Sequence, residues 1–224
     1  MTLRRLALRV ALGIVVATAV PIALLRVVPP VTSAFMIATK WPFARGDDAC
    51  ADLEYRWVPR SRIATNLFRA VIAAEDQRFA QHHGFDFGAI EDAIEERDKN
   101  GRSRGASTIS QQVAKNLFLW SGRSFVRKGL EAWLTLWIEL LWPKERILEV
   151  YVNVAQFGRC TFGVGAASRR FFRTAPASLG LEQAALLAAV LPNPVERRVD
   201  APGRFVQSRA TWIARHARRV EVPQ

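Results

Sequence analysis

RGASTISQQVAKNLFLW, residues 104–120, carries two patterns at once. Wound at about 100° per residue, Thr108, Gln112, Lys115 and Asn116 fall along one arc, while Ile109, Val113, Leu117 and Trp120 take the adjoining face. The segment is therefore expected to be an amphipathic helix over 108–120, with Ser107 as its N-cap. Its polar arc offers a hydroxyl, two amides and one ammonium, and no acid. Solvated helix faces usually mix acids with bases, so this arc suits phosphate or sugar oxygens; a polar outer face without a ligand is the competing reading. Arg104 and Gly105 place a cation and a flexible turn ahead of the helix N-terminus, both favourable to an anion.

Helical spacing continues on either side. Ile63, Leu67, Val71 and Ala74 form one stripe that runs into AAEDQRFAQHHGFDF, residues 73–87. Further helices are expected over 87–99, 125–142, 143–156, 165–172, 181–191 and 205–218. Pro143 suits a first helical turn, and LPNP at 191–194 acts as a stop. No run reads as a strand and no repeat is present, so the fold class is all-α.

Two glutamates flank the central helix. Glu75 lies at the edge of the apolar stripe, where partial desolvation would raise its pKa and suit it to general-base work near neutral pH. An ordinary helix-surface glutamate is the alternative. Glu131 stands one turn before WLTLWIELLW, residues 133–142, with Arg127 and Lys128 just ahead of it. Two carboxylates in unlike environments are a recurrent solution for sugar chemistry. The apolar run is about half a bilayer span, so it is either a core helix or a surface dipping into lipid, and residues 118–125 have the composition of an interfacial contact.

The N-terminus decides the compartment. VALGIVVATAVPIALL, residues 10–25, contains no charge, and Arg4, Arg5 and Arg9 precede it while Arg26 follows. A retained single-pass anchor is favoured over a cleaved signal, with the N-terminus cytoplasmic and the remainder exported. The expected organisation is a cytoplasmic tail at 1–5, a transmembrane anchor at 6–28, a connector at 29–60 and the folded domain at 61–224. Residues before Lys40 are expected to be removable without loss of the fold.

A net charge of +12 over 224 residues asks for an anionic partner, and 50% hydrophobic content rules out wholesale disorder. Export argues against nucleic acid and for lipid or pyrophosphate. Cys50 and Cys160 would meet an oxidising compartment and could pair, although spacing alone does not say so. With no CxxC, no HExxH and only His82, His83 and His216, no metal cluster is suggested.

Taken in order, residues 73–87, 104–120, 127–139 (RKGLEAWLTLWIE), 146–158 (RILEVYVNVAQFG) and 163–172 (GVGAASRRFF) resemble the five motifs of the glycosyltransferase family 51 peptidoglycan polymerases. The resemblance covers about Trp57 to the C-terminus. It implies a lysozyme-like α-helical domain at the bacterial inner membrane, facing the periplasm. Its implied reaction polymerises lipid II into β-1,4 glycan strands with inversion and release of undecaprenyl pyrophosphate. By that resemblance Glu75 is the general base. Glu131 assists the donor pyrophosphate directly or through a divalent cation such as Mg²⁺, and is the candidate metal ligand. Lys115, Arg127 and Lys128 neutralise the leaving group, and Ser107, Thr108, Gln112 and Asn116 position sugar and phosphate. Asp76, Phe79 and His82 shape the site around the base. No organic cofactor is implied, and no SxxK signals transpeptidation. Implied partners are lipid II, the growing lipid-linked glycan, inner-membrane lipids and cell-wall synthesis and division proteins. Gly165 departs from an acidic residue frequent in relatives. A lytic glycan-cleaving enzyme and an anchored scaffold are the rival classes.

Overall fold

The structure is a computed structural model and describes residues 3–40, 50–100, 105–122 and 124–223. Arg104, one of the expected site residues, lies outside them.

The chain is mostly helical, as its spacing implies. The helices are α1 (Leu3–Leu25), α2 (Ala34–Lys40), α3 (Thr65–Glu75), α4 (Phe87–Asn100), α5 (Ile109–Phe118), α6 (Phe125–Leu141), α7 (Lys144–Val154), α8 (Gly163–Phe172), α9 (Leu181–Val190) and α10 (Arg204–Ala217). Helix α3 is apolar nearly all round, with Leu67, Phe68, Ala70, Val71, Ile72 and Ala73 buried. Such a helix has to be surrounded. It packs against α9 and α10, and the small buried side chains Ala184, Ala185, Ala188 and Ala189 on α9 permit close approach. Helix α5 is held between α6 and α7.

A small sheet went unnoticed in the sequence. β1 (Glu54–Tyr55) pairs parallel to β3 (Thr161–Phe162), and β2 (Gln156–Gly158) pairs antiparallel to β3. Strands of two or three residues carry too few positions for alternation to register. They are stabilised from outside the ladder: Cys50 and Cys160 are disulfide-bonded across 110 residues of chain. Closing so long a loop contributes about 2–4 kcal/mol in typical cases.

Helix α1 is long and apolar enough to cross a membrane, with a mean hydropathy of 2.3 in its most apolar stretch. Its far end is built into the domain. The Trp142 indole N–H donates to the Ile22 carbonyl (2.7 Å), Arg146 donates to the carbonyls of Leu25 and Val28, and the Tyr55 hydroxyl donates to Pro30 (2.6 Å). Burial pushes the Tyr55 phenol up to about 12. Ser33 and Met36 are buried, and the Phe35 ring lies 5.5 Å from the Lys115 ammonium. Removal of everything before Lys40 would therefore strip contacts from α5, α6 and α7, contrary to the sequence expectation that the fold would be untouched. Helix α6 packs on α1 yet leaves Phe125, Val126, Leu136 and Leu140 exposed to solvent, Phe125 fully so (99%).

Candidate active site

Glu75 is placed by the end of one helix and the beginning of another. Helix α3 stops at Asp76, whose backbone leaves helical geometry at φ −161°, ψ 77°. That turn sends the Asp76 carboxylate toward the start of α5, where Oδ2 accepts the Ile109 amide N–H at 2.9 Å. An anion at a helix N-terminus satisfies an orphan donor and opposes the helix dipole. Asp76 also accepts from His82 Nε2 (2.9 and 3.0 Å), while His82 Nδ1 accepts the Gly84 amide (3.2 Å). Those two bonds select the Nε2–H tautomer. Gly84 needs φ +88° and has no room for a side chain, since a Cβ would sit 2.9 Å from Thr135 Cγ2. Asp76 and His82 thus clamp α3 to α5 and fix the distance between Glu75 and Gln112.

Glu75 occupies the protected end of that clamp, its side chain 11% exposed. Burial raises its pKa, and this is the largest influence; the Gln112 hydrogen bond and the charges of Arg209, Lys115 and Arg197 pull the other way. Gln112 Nε2 donates to Glu75 Oε2 at 3.0 Å, and the Tyr151 hydroxyl donates to Gln112 Oε1, also at 3.0 Å. The buried tyrosine sets which way the amide faces, so the NH₂ meets the carboxylate. On the other oxygen, Arg209 of α10 approaches Glu75 Oε1 to 3.4 Å and donates to the Ala74 carbonyl at 3.1 Å. Tyr151→Phe is expected to lower kcat about tenfold with little change in KM, because the amide can then flip. Steady-state kinetics of the variant checks this; an unchanged kcat would remove Tyr151 from the site.

Glu75, Asp76, Ser107 and Thr108 line one cavity of about 260 Å³. Thr108, rather than the expected Ser107, is the N-cap of α5. It accepts from the Gln111 amide, the Gln111 side chain returns the bond, and Thr108 Oγ1 donates to the Gly84 carbonyl at 2.7 Å. Buried and bonded to both Gln111 and Gly84, Thr108 holds the loop in place. Freed from capping, Ser107 is exposed at the cavity rim, where it accepts from Lys128 Nζ at 3.2 Å.

Lys128 also joins the second carboxylate. Glu131 is buried and pairs with both Lys128 and Arg127, whose Nε additionally donates to the Gly122 carbonyl at 2.9 Å. Lys115 lies within electrostatic reach of both acids. Burial lowers its pKa, opposed by the charges of Glu131 and Glu75, and it makes no ion pair among the described residues. Asn116 is half-buried on the same helix without a hydrogen bond among the described residues, so its amide is uncommitted. Phe79 is fully buried, with the Lys144 ammonium 4.5 Å above its ring, so it supports the loop from the core.

The donor set around Glu131 does not fit a protein-held divalent cation. Both oxygens face cations and no other carboxylate joins them among the described residues, whereas Mg²⁺ seeks oxygen ligands in an octahedron. Asp76, His82 and Asp86 lie close enough together to suggest a metal. Their atoms are already spent, on each other, on the Ile109, Gly84 and Ala89 amides and on Arg78.

Sequence reasoning missed Tyr151 and Arg209. Tyr151 lies in the fourth motif among core residues, where nothing distinguishes a hydroxyl aimed at the site. Arg209 reaches Glu75 across 134 residues of chain, and no local pattern signals that.

Comparison with known proteins places the chain in a family. The transglycosylase family matches residues 47–218, and the chain belongs to that family: it is a glycosyl-transferring enzyme. The chain is 52% identical over 209 residues to the biosynthetic peptidoglycan transglycosylase of Xanthomonas euvesicatoria pv. vesicatoria (strain 85-10), covering 92% of this chain and 84% of that one. It is 49% identical over 221 residues to the protein of the same name from Stutzerimonas stutzeri (strain A1501), covering 97% and 91%. The Xylella fastidiosa (strain M12) protein of that name is 55% identical over 168 residues, covering 75% and 69%.

Proposed function

We propose that this enzyme polymerises lipid II into β-1,4-linked peptidoglycan strands at the inner membrane. In this reading α1 is the anchor, the N-terminus is cytoplasmic and the domain is periplasmic. One observation carries the chemistry: Glu75, buried with a raised pKa, shares a cavity with Ser107, which Lys128 links to the Glu131–Arg127 cation cluster. A proton acceptor and, through Ser107, a cluster of cations thus border the same cavity.

The steps follow from that placement. Glu75 takes the proton from the acceptor sugar 4-hydroxyl, and the oxygen attacks the anomeric carbon of the lipid-linked chain from the face opposite the diphosphate. The bond to the diphosphate breaks, and configuration inverts. Lys115, with its ammonium unpaired among the described residues, and Lys128 at the rim meet the charge that develops on the leaving group. Glu131 holds Arg127 and Lys128 at the spacing that charge requires. The exposed apolar side chains of α6 fit a site that takes its substrate from a bilayer.

The pH profile tests the base. Protonated Glu75 cannot accept a proton, so kcat/KM for glycan formation should fall tenfold per pH unit on the acid side, with its midpoint above the ordinary value of 4.5. A carboxylate whose pKa rises on folding adds stability below its unfolded pKa and loses it as pH rises through the folded one. Activity should therefore be lost on acidification while circular dichroism still reports a folded protein. Activity that stays level until the fold itself is lost would contradict the assignment.

A further inference from the structure

A second cluster of cations lies outside the site just described. Arg56 and Arg62 on one side, and Arg169 and Arg173 on the other, line a cleft of about 580 Å³ together with Trp57, Pro59 and Pro176. Arg62 precedes α3, whereas Glu75 ends it, so the length of α3, roughly 16 Å by helix rise, separates the cleft from the base. No acid lines the cleft, and none of the four guanidiniums forms an ion pair among the described residues. The nearest candidate in sequence, Glu54, is taken by Arg170 at 2.9 Å.

Ordinary surface charge does not account for this. Cations at the end of α8 are favoured by the helix dipole, which explains Arg169 and Arg170. It does not explain Arg56 and Arg62, which come from other segments and would repel them. Arg173 stands at that same end as the C-cap of α8, but in the left-handed region (φ 54°, ψ 35°), where glycine is the usual residue, so its side chain is kept at a conformational cost. Gly165 lets the two walls meet: a Cβ there would lie 2.3 Å from the Arg56 carbonyl oxygen and 2.8 Å from Val58 Cγ2. The missing side chain admits the Arg56 backbone onto α8, which gathers like charges around one cleft, an arrangement that an anion would relieve.

The cleft also lies near the anchor. Trp57, on its wall, is stacked under Arg146 at 5.1 Å, and Arg146 donates to the carbonyls of Leu25 and Val28 at the end of α1; the adjacent Tyr55 bonds Pro30. We propose that this four-arginine cleft binds a phosphate anion, and that its occupant is the phosphodiester headgroup of an anionic phospholipid, separate from the diphosphate of the substrate. The lipid half of this proposal rests on α1 spanning a bilayer; the anion site does not.

Binding to the full chain in neutral detergent tests both halves, by titration calorimetry with dihexanoyl phosphatidylglycerol, dihexanoyl phosphatidylcholine and glycerol phosphate as probes. Arg169→Gln and Arg173→Gly should each weaken the phosphatidylglycerol at least ~10-fold, since each removes charge-assisted bonds. Arg173→Gly keeps the fold by design, because glycine prefers the φ that arginine is made to adopt, and its melting temperature should equal or exceed wild type. The double variant Arg218→Gln/Arg219→Gln, which loses two exposed charges elsewhere on the surface, should bind like wild type. Glycan synthesis from lipid II in phospholipid-free detergent should be unchanged in all of them. Equal binding by the cleft variants and the surface variant would overturn the site. Glycerol phosphate binding as tightly as phosphatidylglycerol would overturn the lipid assignment.

Discussion

Glu75→Gln should fold normally and polymerise at least ~100-fold more slowly, the lower range for loss of a general base. Glutamine keeps the size of the side chain and can still accept the Gln112 N–H, so the clamp of Asp76, His82 and Ile109 is untouched. What it loses is the ability to take a proton. Burial disfavours the wild-type charge, so removing that charge does not cost the fold at neutral pH. The measurement is initial rate on lipid II beside a melting curve. A variant with the wild-type melting temperature and a rate within tenfold of wild type would show that the proton goes elsewhere.

Glu131→Gln should behave differently, damaging stability as well as rate. Glu131 pairs with Arg127, whose side chain is only 12% exposed, and with Lys128, which is 46% exposed. A glutamine can turn its oxygen toward one cation only, presenting its NH₂ to the other. Removing one partner of a buried pair typically costs about 3–5 kcal/mol, because the remaining charge is left uncompensated. For a chain of this size that is a fall of roughly 10 °C in melting temperature. Arg127→Gln in the same molecule should recover part of the loss, since the stranded cation is then gone. An unchanged melting temperature with lost activity would mean that Glu131 acts on substrate directly instead of holding the cations.

Much of this is legible in the sequence, for identifiable reasons. Ile63, Leu67 and Val71, and likewise Ile109, Val113 and Leu117, repeat at helical spacing over two or more turns, so the helices and their inner faces are stated by the sequence. Glu75, Gln112, Lys115, Arg127, Lys128 and Glu131 stand in local segments with telling neighbours. Ser107, Thr108 and Phe79 take other places than their spacing implies. Ser107 and Thr108 are both good caps, and only the Gly84 carbonyl and the Gln111 side chain decide between them. Phe79 and Thr108 are chemically able to meet a ligand, yet both are buried, which spacing cannot reveal. Tyr151 and Arg209 reach the base only through tertiary packing. The short strands and the Cys50–Cys160 bond depend on segments about a hundred residues apart, which no local window spans.

The central claim is that a buried glutamate and a cationic rim join lipid-linked sugars rather than cut them. Its most direct test is the product. The full chain in detergent micelles, given purified lipid II, should yield longer β-1,4 glycan with release of one undecaprenyl pyrophosphate per bond formed. Shortened glycan from isolated sacculi, with no diphosphate released from lipid II, would contradict it.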